Sequence, residues 1–159
     1  MSRSRTSFFE ALAQFKKTIA LDPNYVRVYQ HMGYAYEWHR MLPEAIAAYR
    51  KGVSLAGETL EVQADLARAL IEGGEREQGT RILRHLEAES ASRYISPVDL
   101  AGIYTALGDR DRALTLLETA LQQHNGALLY LPQRIEFESL RGEPRFARML
   151  REVGAPGGP

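Results

Sequence analysis

Four histidines are the first residues to question for chemistry: His31, His39, His85 and His124. No two stand four apart, the spacing that puts two imidazoles on one helix face around a metal ion. His31 and His39 are eight apart, about two helical turns, too far to share one ion. Gly73-Gly74 and Gly157-Gly158 are not followed by Gly-Lys-Ser/Thr, so they read as a turn and a tail, not phosphate cradles. The chain has no Gly-x-Ser-x-Gly elbow, and with no cysteine it has no disulfide or thiolate metal site. No catalysis, cofactor or metal is expected. What remains is contact chemistry. Tyr34 and Trp38 lie one turn apart with His31 a turn earlier, beside Arg27 and Arg68, and aromatic and arginine side chains are the usual anchors of a binding surface.

The elements that carry these residues recur every thirty-four positions. Ala11, Ala45, Gly79 and Ala113 form one series, and Phe15, Tyr49, Leu83 and Leu117 a second. Gly33, Ala67 and Ala101 form a third, and Tyr36, Leu70 and Tyr104 a fourth. One period shared by independent series means stacked similar units. In the most complete unit, Tyr29, Met32, Gly33 and Tyr36 fall on one helical face. Pro43 then suits the first turn of a second helix bearing Ala45, Ile46, Tyr49, Gly52 and Val53. Each unit therefore reads as helix, turn, helix. The small residues let the two helices approach, and the larger series fills the space beside them. Ala45→Leu or Ala113→Leu is expected to overpack that junction and cost about 1–3 kcal/mol. Gly74 and Gly108 suit the left-handed position that ends a helix, whereas Arg40 in the equivalent place predicts a turn of looser or different shape. Ser96-Pro97 reads as a helix cap and first-turn proline.

Tyr29-x-x-Met32-Gly33-x-x-Tyr36 followed by Ala45-x-x-x-Tyr49 resembles the tetratricopeptide repeat (TPR). Leu21-Asp22-Pro23-Asn24, Leu66-Ala67-x-x-Leu70, and Leu100-Ala101-x-x-Tyr104 with Ala113-x-x-x-Leu117 resemble other parts of the same motif. The resemblance implies an all-α, right-handed helical-hairpin solenoid: a leading half-repeat (7–24), three full repeats (25–58, 59–92 and 93–125) and a closing segment (126–153). It also implies that the first helices line a concave face that takes a peptide or partner helix. On that face helical phase places Arg27, Gln30, His31, Tyr34, Glu37 and Trp38. The period adds Asp65, Arg68 and Ile71, then Val98, Asp99 and Thr105. Gln30, Tyr34, Glu61 and Asp65 occupy the places where some TPR proteins carry a carboxylate clamp, and two acids there would repel a carboxylate tail.

The ends differ. Residues 1–6 are expected to be unordered or added in cloning, and 154–159 to be a frayed tail. The leading helix has too few residues before it for a partner helix, so Phe8, Leu12, Phe15 and Ile19 are expected to leave apolar surface open. Two readings of that surface stand: the chain is a segment of a longer protein, or the surface pairs with a second copy to give a homodimer. Phe137-Glu138-Ser139-Leu140-Arg141-Gly142-Glu143-Pro144-Arg145-Phe146 resembles the segment that closes TPR arrays of bacterial multidomain regulators. There Pro144 would open a last helix whose Phe146, Met149 and Leu150 cover the final repeat.

Twenty basic residues balance twenty acidic ones, so no global field draws in nucleic acid or an anionic membrane. Arg141, Arg145, Arg148 and Arg151 gather near the end, diluted by Glu143 and Glu152, and do not make a nucleic-acid stripe. No apolar run has membrane-spanning length, and a cytoplasmic location is the default. The expected function is a non-catalytic protein-interaction scaffold, within a larger bacterial chain.

Overall fold

The computed structural model describes residues 3–56 and 59–154. Among the described residues eight α-helices run in order: α1 (Arg3–Leu21), α2 (Val26–Trp38), α3 (Leu42–Ala56), α4 (Leu60–Glu72), α5 (Arg76–Glu89), α6 (Pro97–Leu107), α7 (Arg110–Gln122) and α8 (Pro144–Glu152). Two 3₁₀ segments, η1 (Gly126–Gln133) and η2 (Ile135–Leu140), lie between α7 and α8. No strand occurs among the described residues. Helices α2 and α3, α4 and α5, and α6 and α7 pack as hairpins, while α3 on α4 and α4 on α6 join one hairpin to the next. The result is a solenoid of three hairpins led by one helix and closed by another.

The thirty-four-residue series are where the hairpins touch. Ala45, Ala67, Ala101 and Ala113 are fully buried, as are Tyr49 and Leu117. A Cβ at Gly33 would stand 2.2 Å from Tyr49 Cε1, and one at Gly79 would stand 2.5 Å from the Ala67 carbonyl oxygen. The small positions thus admit a ring in one hairpin and a neighbouring backbone in another. One apolar cluster runs from α4 through α8, and a second joins α3 to α4 around Tyr49 and Leu70.

Several local expectations need correction. Helix α1 starts at Arg3 and so takes in residues 3–6, expected to be unordered; residues 1, 2 and 155–159 lie outside the described residues. Arg40 does not loosen its turn. It takes the left-handed conformation itself (φ 59°), as Gly74 (89°) and Gly108 (82°) do one and two periods later. Ser96 stands at the cap of α6, but its hydroxyl accepts from Asn125 Nδ2 (3.2 Å) and makes no capping bond. Phe8 is not open surface: it is buried, packed at a tilt on His39 (centroids 4.0 Å apart) and edge-on to Tyr36. Leu12, Phe15 and Ile19 are half-buried, and Phe9 is the aromatic that α1 leaves exposed.

The closing segment does more than cover the last hairpin. Helix α8 docks on α7, with Phe146 and Met149 buried and Arg145 paired to Glu118 (2.7 Å). Before it, η1 and η2 turn back across the inner face. Segment η2 packs on α6, and Glu138 reaches Arg40 at the α2–α3 turn (3.1 Å). Phe137 of η2 is buried 6.2 Å from Phe146, so the returning strap and the cap share one core.

Candidate functional site

The inner face is built from α2, α4 and α6, and what links α2 to α4 is polar. Arg68 on α4 makes a two-pronged pair with Glu37 on α2, Nη1 to Oε1 and Nη2 to Oε2, both 2.8 Å. Tyr49, whose ring fills the space at Gly33, donates its hydroxyl to the same Glu37 Oε2 (2.9 Å). Helical spacing also sets Arg68 against Asp65 (3.8 Å) and Glu72 (3.4 Å). Asp65 accepts from Gln30 Nε2 and from the Tyr34 hydroxyl, each at 2.8 Å. Gln30, Glu37, Asp65 and Arg68 are all buried, and no buried side-chain polar atom among the described residues lacks a partner. Such a network is costly to break and holds two helices in one register.

Burial sets the charge states. It pushes the Asp65 carboxyl up to about 7, although Arg68, Gln30 and Tyr34 pull the other way. Burial also raises Glu72 and Asp99, against the pull of Arg68 and Arg134 respectively. For Arg68, burial opposes the charge, but Glu37 outweighs it and holds the guanidinium protonated. The Tyr34 hydroxyl is raised by burial and then by neighbouring Asp65.

The strap adds a second layer. Arg134, between η1 and η2, bonds Glu136 Oε1 (2.5 Å), approaches Asp99 on α6 (3.6 Å) and lies 5.6 Å over the Phe137 ring. Glu136 is held below the usual carboxylate range: burial works against its charge, but Arg134 and Arg68 overcome it. Gly102 on α6 leaves room where Arg68 and Glu136 come together, a Cβ there meeting Arg68 Cδ at 3.3 Å.

Between strap and helices a cavity of about 610 Å³ remains, lined by Gln30, Tyr34, Glu37, Trp38, Glu61 and Asp65 from α2 and α4. Its other wall is Tyr94, Ser96 and Asp99 with the 125–136 strap, including Tyr130 and Arg134. Tyr34, Trp38, Tyr94 and Tyr130 are 40–72% exposed around its mouth. A second cavity of about 600 Å³ holds Arg68, Glu72 and Thr105 against Glu136 and Glu138.

Of the twelve residues expected on the open face, six line the first cavity: Gln30, Tyr34, Glu37, Trp38, Asp65 and Asp99. Arg68 and Thr105 line the second, where Arg68 is 4% exposed and serves the network. Ile71 and Val98 are core residues, and Arg27 and His31 are exposed but line neither cavity. Tyr94, Tyr130, Arg134 and Glu136 were not anticipated. No local period marks the last two, because they sit at the start of the 3₁₀ segment η2 and reach the site only through the return of the chain across the inner face. Among the described residues no group of three or more His, Asp or Glu could hold a metal ion, and no helix is long and apolar enough to cross a membrane.

No protein-family model matches the chain, and no curated protein matches it. Among solved structures, MamA aligns over 96% of this chain and 93% of its own, at 21% identity and a TM-score of 0.51. The fold is a TPR-type solenoid. At that identity the likeness is one of fold, and it covers the leading helix, all three hairpins and the closing segment together. In TPR terms α2, α4 and α6 are the inner helices, and η1–η2 occupies part of the concave face they make.

Proposed function

We propose that the chain is a non-catalytic protein–protein interaction scaffold that receives a segment of a partner polypeptide in the cavity between α2, α4 and the strap. The observation that carries this reading is the ring of exposed aromatics, Tyr34, Trp38, Tyr94 and Tyr130, around an open cavity. Aromatic side chains kept in water at one mouth are anchors that a partner would bury. The resemblance of residues 137–146 to the end of regulator arrays supports a role as a regulatory or assembly module within a larger bacterial cytoplasmic protein. Trp38 is the chain's one tryptophan, so its emission reports occupancy directly. A panel of synthetic 12-residue peptides of varied composition should include sequences that shift this emission saturably. Calorimetry should then show at least about tenfold weaker binding by Trp38→Ala or Tyr130→Ala. No binding anywhere in the panel, or full binding by both variants, refutes the reading.

A second reading rests on α1, where Phe9 is 56% exposed and Leu12, Phe15 and Ile19 are only half-buried: a second copy would cover these side chains in a homodimer. Light scattering across a concentration series tests it. A mass that stays monomeric ends it, and a rising mass abolished by Phe9→Glu supports it.

A further inference from the structure

The same cavity has a chemistry that narrows its occupant. Its lining holds five carboxyl side chains, Glu37, Glu61, Asp65, Asp99 and Glu136, against the single guanidinium of Arg134. Glu37 is neutralised from behind by Arg68, and Glu136 by Arg134. Asp65 lines the cavity bonded to the neutral donors Gln30 and Tyr34 with the Arg68 cation no nearer than 3.8 Å, Asp99 shares Arg134 at 3.6 Å, and Glu61 is exposed at the rim. The wall around these acids is aromatic, and aromatic faces attract a cation that carboxylates also hold.

The inner face already seats one such cation. Arg134 of the strap lies over the Phe137 ring between Asp99 and Glu136, an intramolecular instance of the same contact. A planar guanidinium stacks on aromatics and bonds carboxylates in its plane, which a compact ammonium does less well. The volume of about 610 Å³ lies within the roughly 300–1,000 Å³ of ordinary ligand pockets, so a long side chain and the backbone beside it fit.

Resting on the scaffold reading above, we propose that this cavity takes the guanidinium of an arginine on an extended partner segment, within the ring of Tyr34, Trp38, Tyr94 and Tyr130 and above Asp65 and Asp99. The aromatic ring supplies the stacking faces, and the acids supply the charge and the hydrogen-bond acceptors. Burial that raises Asp65 and Asp99 fits this role, because an entering cation would restore their ionised forms.

The test uses the full chain and three matched 12-residue peptides that differ at one central position: arginine, citrulline or glutamate. Citrulline keeps the shape and removes the charge. The expected result is saturable quenching of Trp38 by the arginine peptide, at least tenfold weaker with citrulline and undetectable with glutamate. Raising salt from about 0.05 to 0.5 M should weaken the arginine peptide and leave citrulline unchanged. Glu61→Gln, at an exposed site that cannot unfold the chain, should cost the arginine peptide about two- to fivefold, and Asp99→Asn more. Equal binding of the arginine and citrulline peptides overturns the proposal while the scaffold reading stands. Agmatine binding as tightly as the arginine peptide overturns it in favour of a free small cation. Absence of binding by these three and by the whole varied panel overturns both.

Discussion

Gly33→Ala is the sharpest probe of the hairpin geometry. The added methyl carbon would sit 2.2, 2.4 and 2.6 Å from Cε1, Cζ and Cδ1 of Tyr49, a ring with no solvent exposure. Alanine should favour the α2 helix over glycine by about 1 kcal/mol. Against that, displacing a buried ring costs about 1–3 kcal/mol. The ring also carries the hydroxyl that bonds Glu37, and a hydrogen bond to a charged group contributes about 1.5–3 kcal/mol. The balance is a loss of about 1.5–5 kcal/mol, read as a lower urea midpoint at unchanged slope. The repeats contain their own rescue. One period on, the small residue is Ala67 and the large one Leu83, and two periods on they are Ala101 and Leu117; glycine stands only opposite the tyrosine. Gly33→Ala with Tyr49→Leu should therefore lose much less than the sum of the single changes. A Gly33→Ala midpoint equal to or above the parent's, or strict additivity of the pair, would refute the assignment of Gly33 to ring clearance.

Three further predictions follow from the inner face and the first turn. Asp65 has a folded-state pKa of about 7 against an unfolded value near 4, so its contribution to stability is complete below about pH 4 and is lost as pH rises through 7, by at most about 4 kcal/mol. Asp65→Asn should flatten the dependence of the urea midpoint between pH 4.5 and 7.5, and parallel profiles for the two proteins would contradict this. Arg68→Met alone strands Glu37 and should cost about 3–5 kcal/mol in chemical unfolding, whereas Arg68→Met with Glu37→Met and Tyr49→Phe should recover most of it; a triple variant as unstable as the single one would count against the ion pair as the cause. Arg40→Gly relieves a left-handed backbone at the expense of an exposed ion pair with Glu138, so the thermal midpoint should rise by about 2–4 °C, and a fall would show that the strap contact matters more than the strain.

Much of the fold was legible because it repeats. The register of Gly33, Ala67 and Ala101 against Tyr49, Leu83 and Leu117 needed only spacing and residue size, and the docking of Phe146 and Met149 needed only helical phase after Pro144. The site was harder. Gln30, Glu37 and Arg68 were placed on the inner face, but their burial comes from one another and from residues about seventy to a hundred positions later, which no local period encodes. Ile71 is core because α4 is buried on almost every side, by α3, α5 and α6 at once, and so has little free face, while Val98, in the first turn of α6, belongs to the apolar cluster that runs from α4 to α8. Segment 126–140 has neither a helical nor a strand period, and its apolar residues Leu128, Leu131, Phe137 and Leu140 gave no hint that the chain returns across the array. Arg40 misled for another reason: arginine can occupy the left-handed turn at a cost, so composition does not reveal the conformation.

A row of hairpins that touch only their neighbours behaves as a spring, with a pitch free to open and close and ends that unravel independently. Here residue 138 is tied to residue 40, and Glu136 lies beside Arg68, so the coil is bridged along its inside. Bridging fixes its rest length and couples the first two hairpins to the last, so pulling or melting one end is felt at the other. Unfolding should then proceed as one event with a single calorimetric peak, and cutting the chain between η1 and η2 should give back the looseness of an ordinary coil.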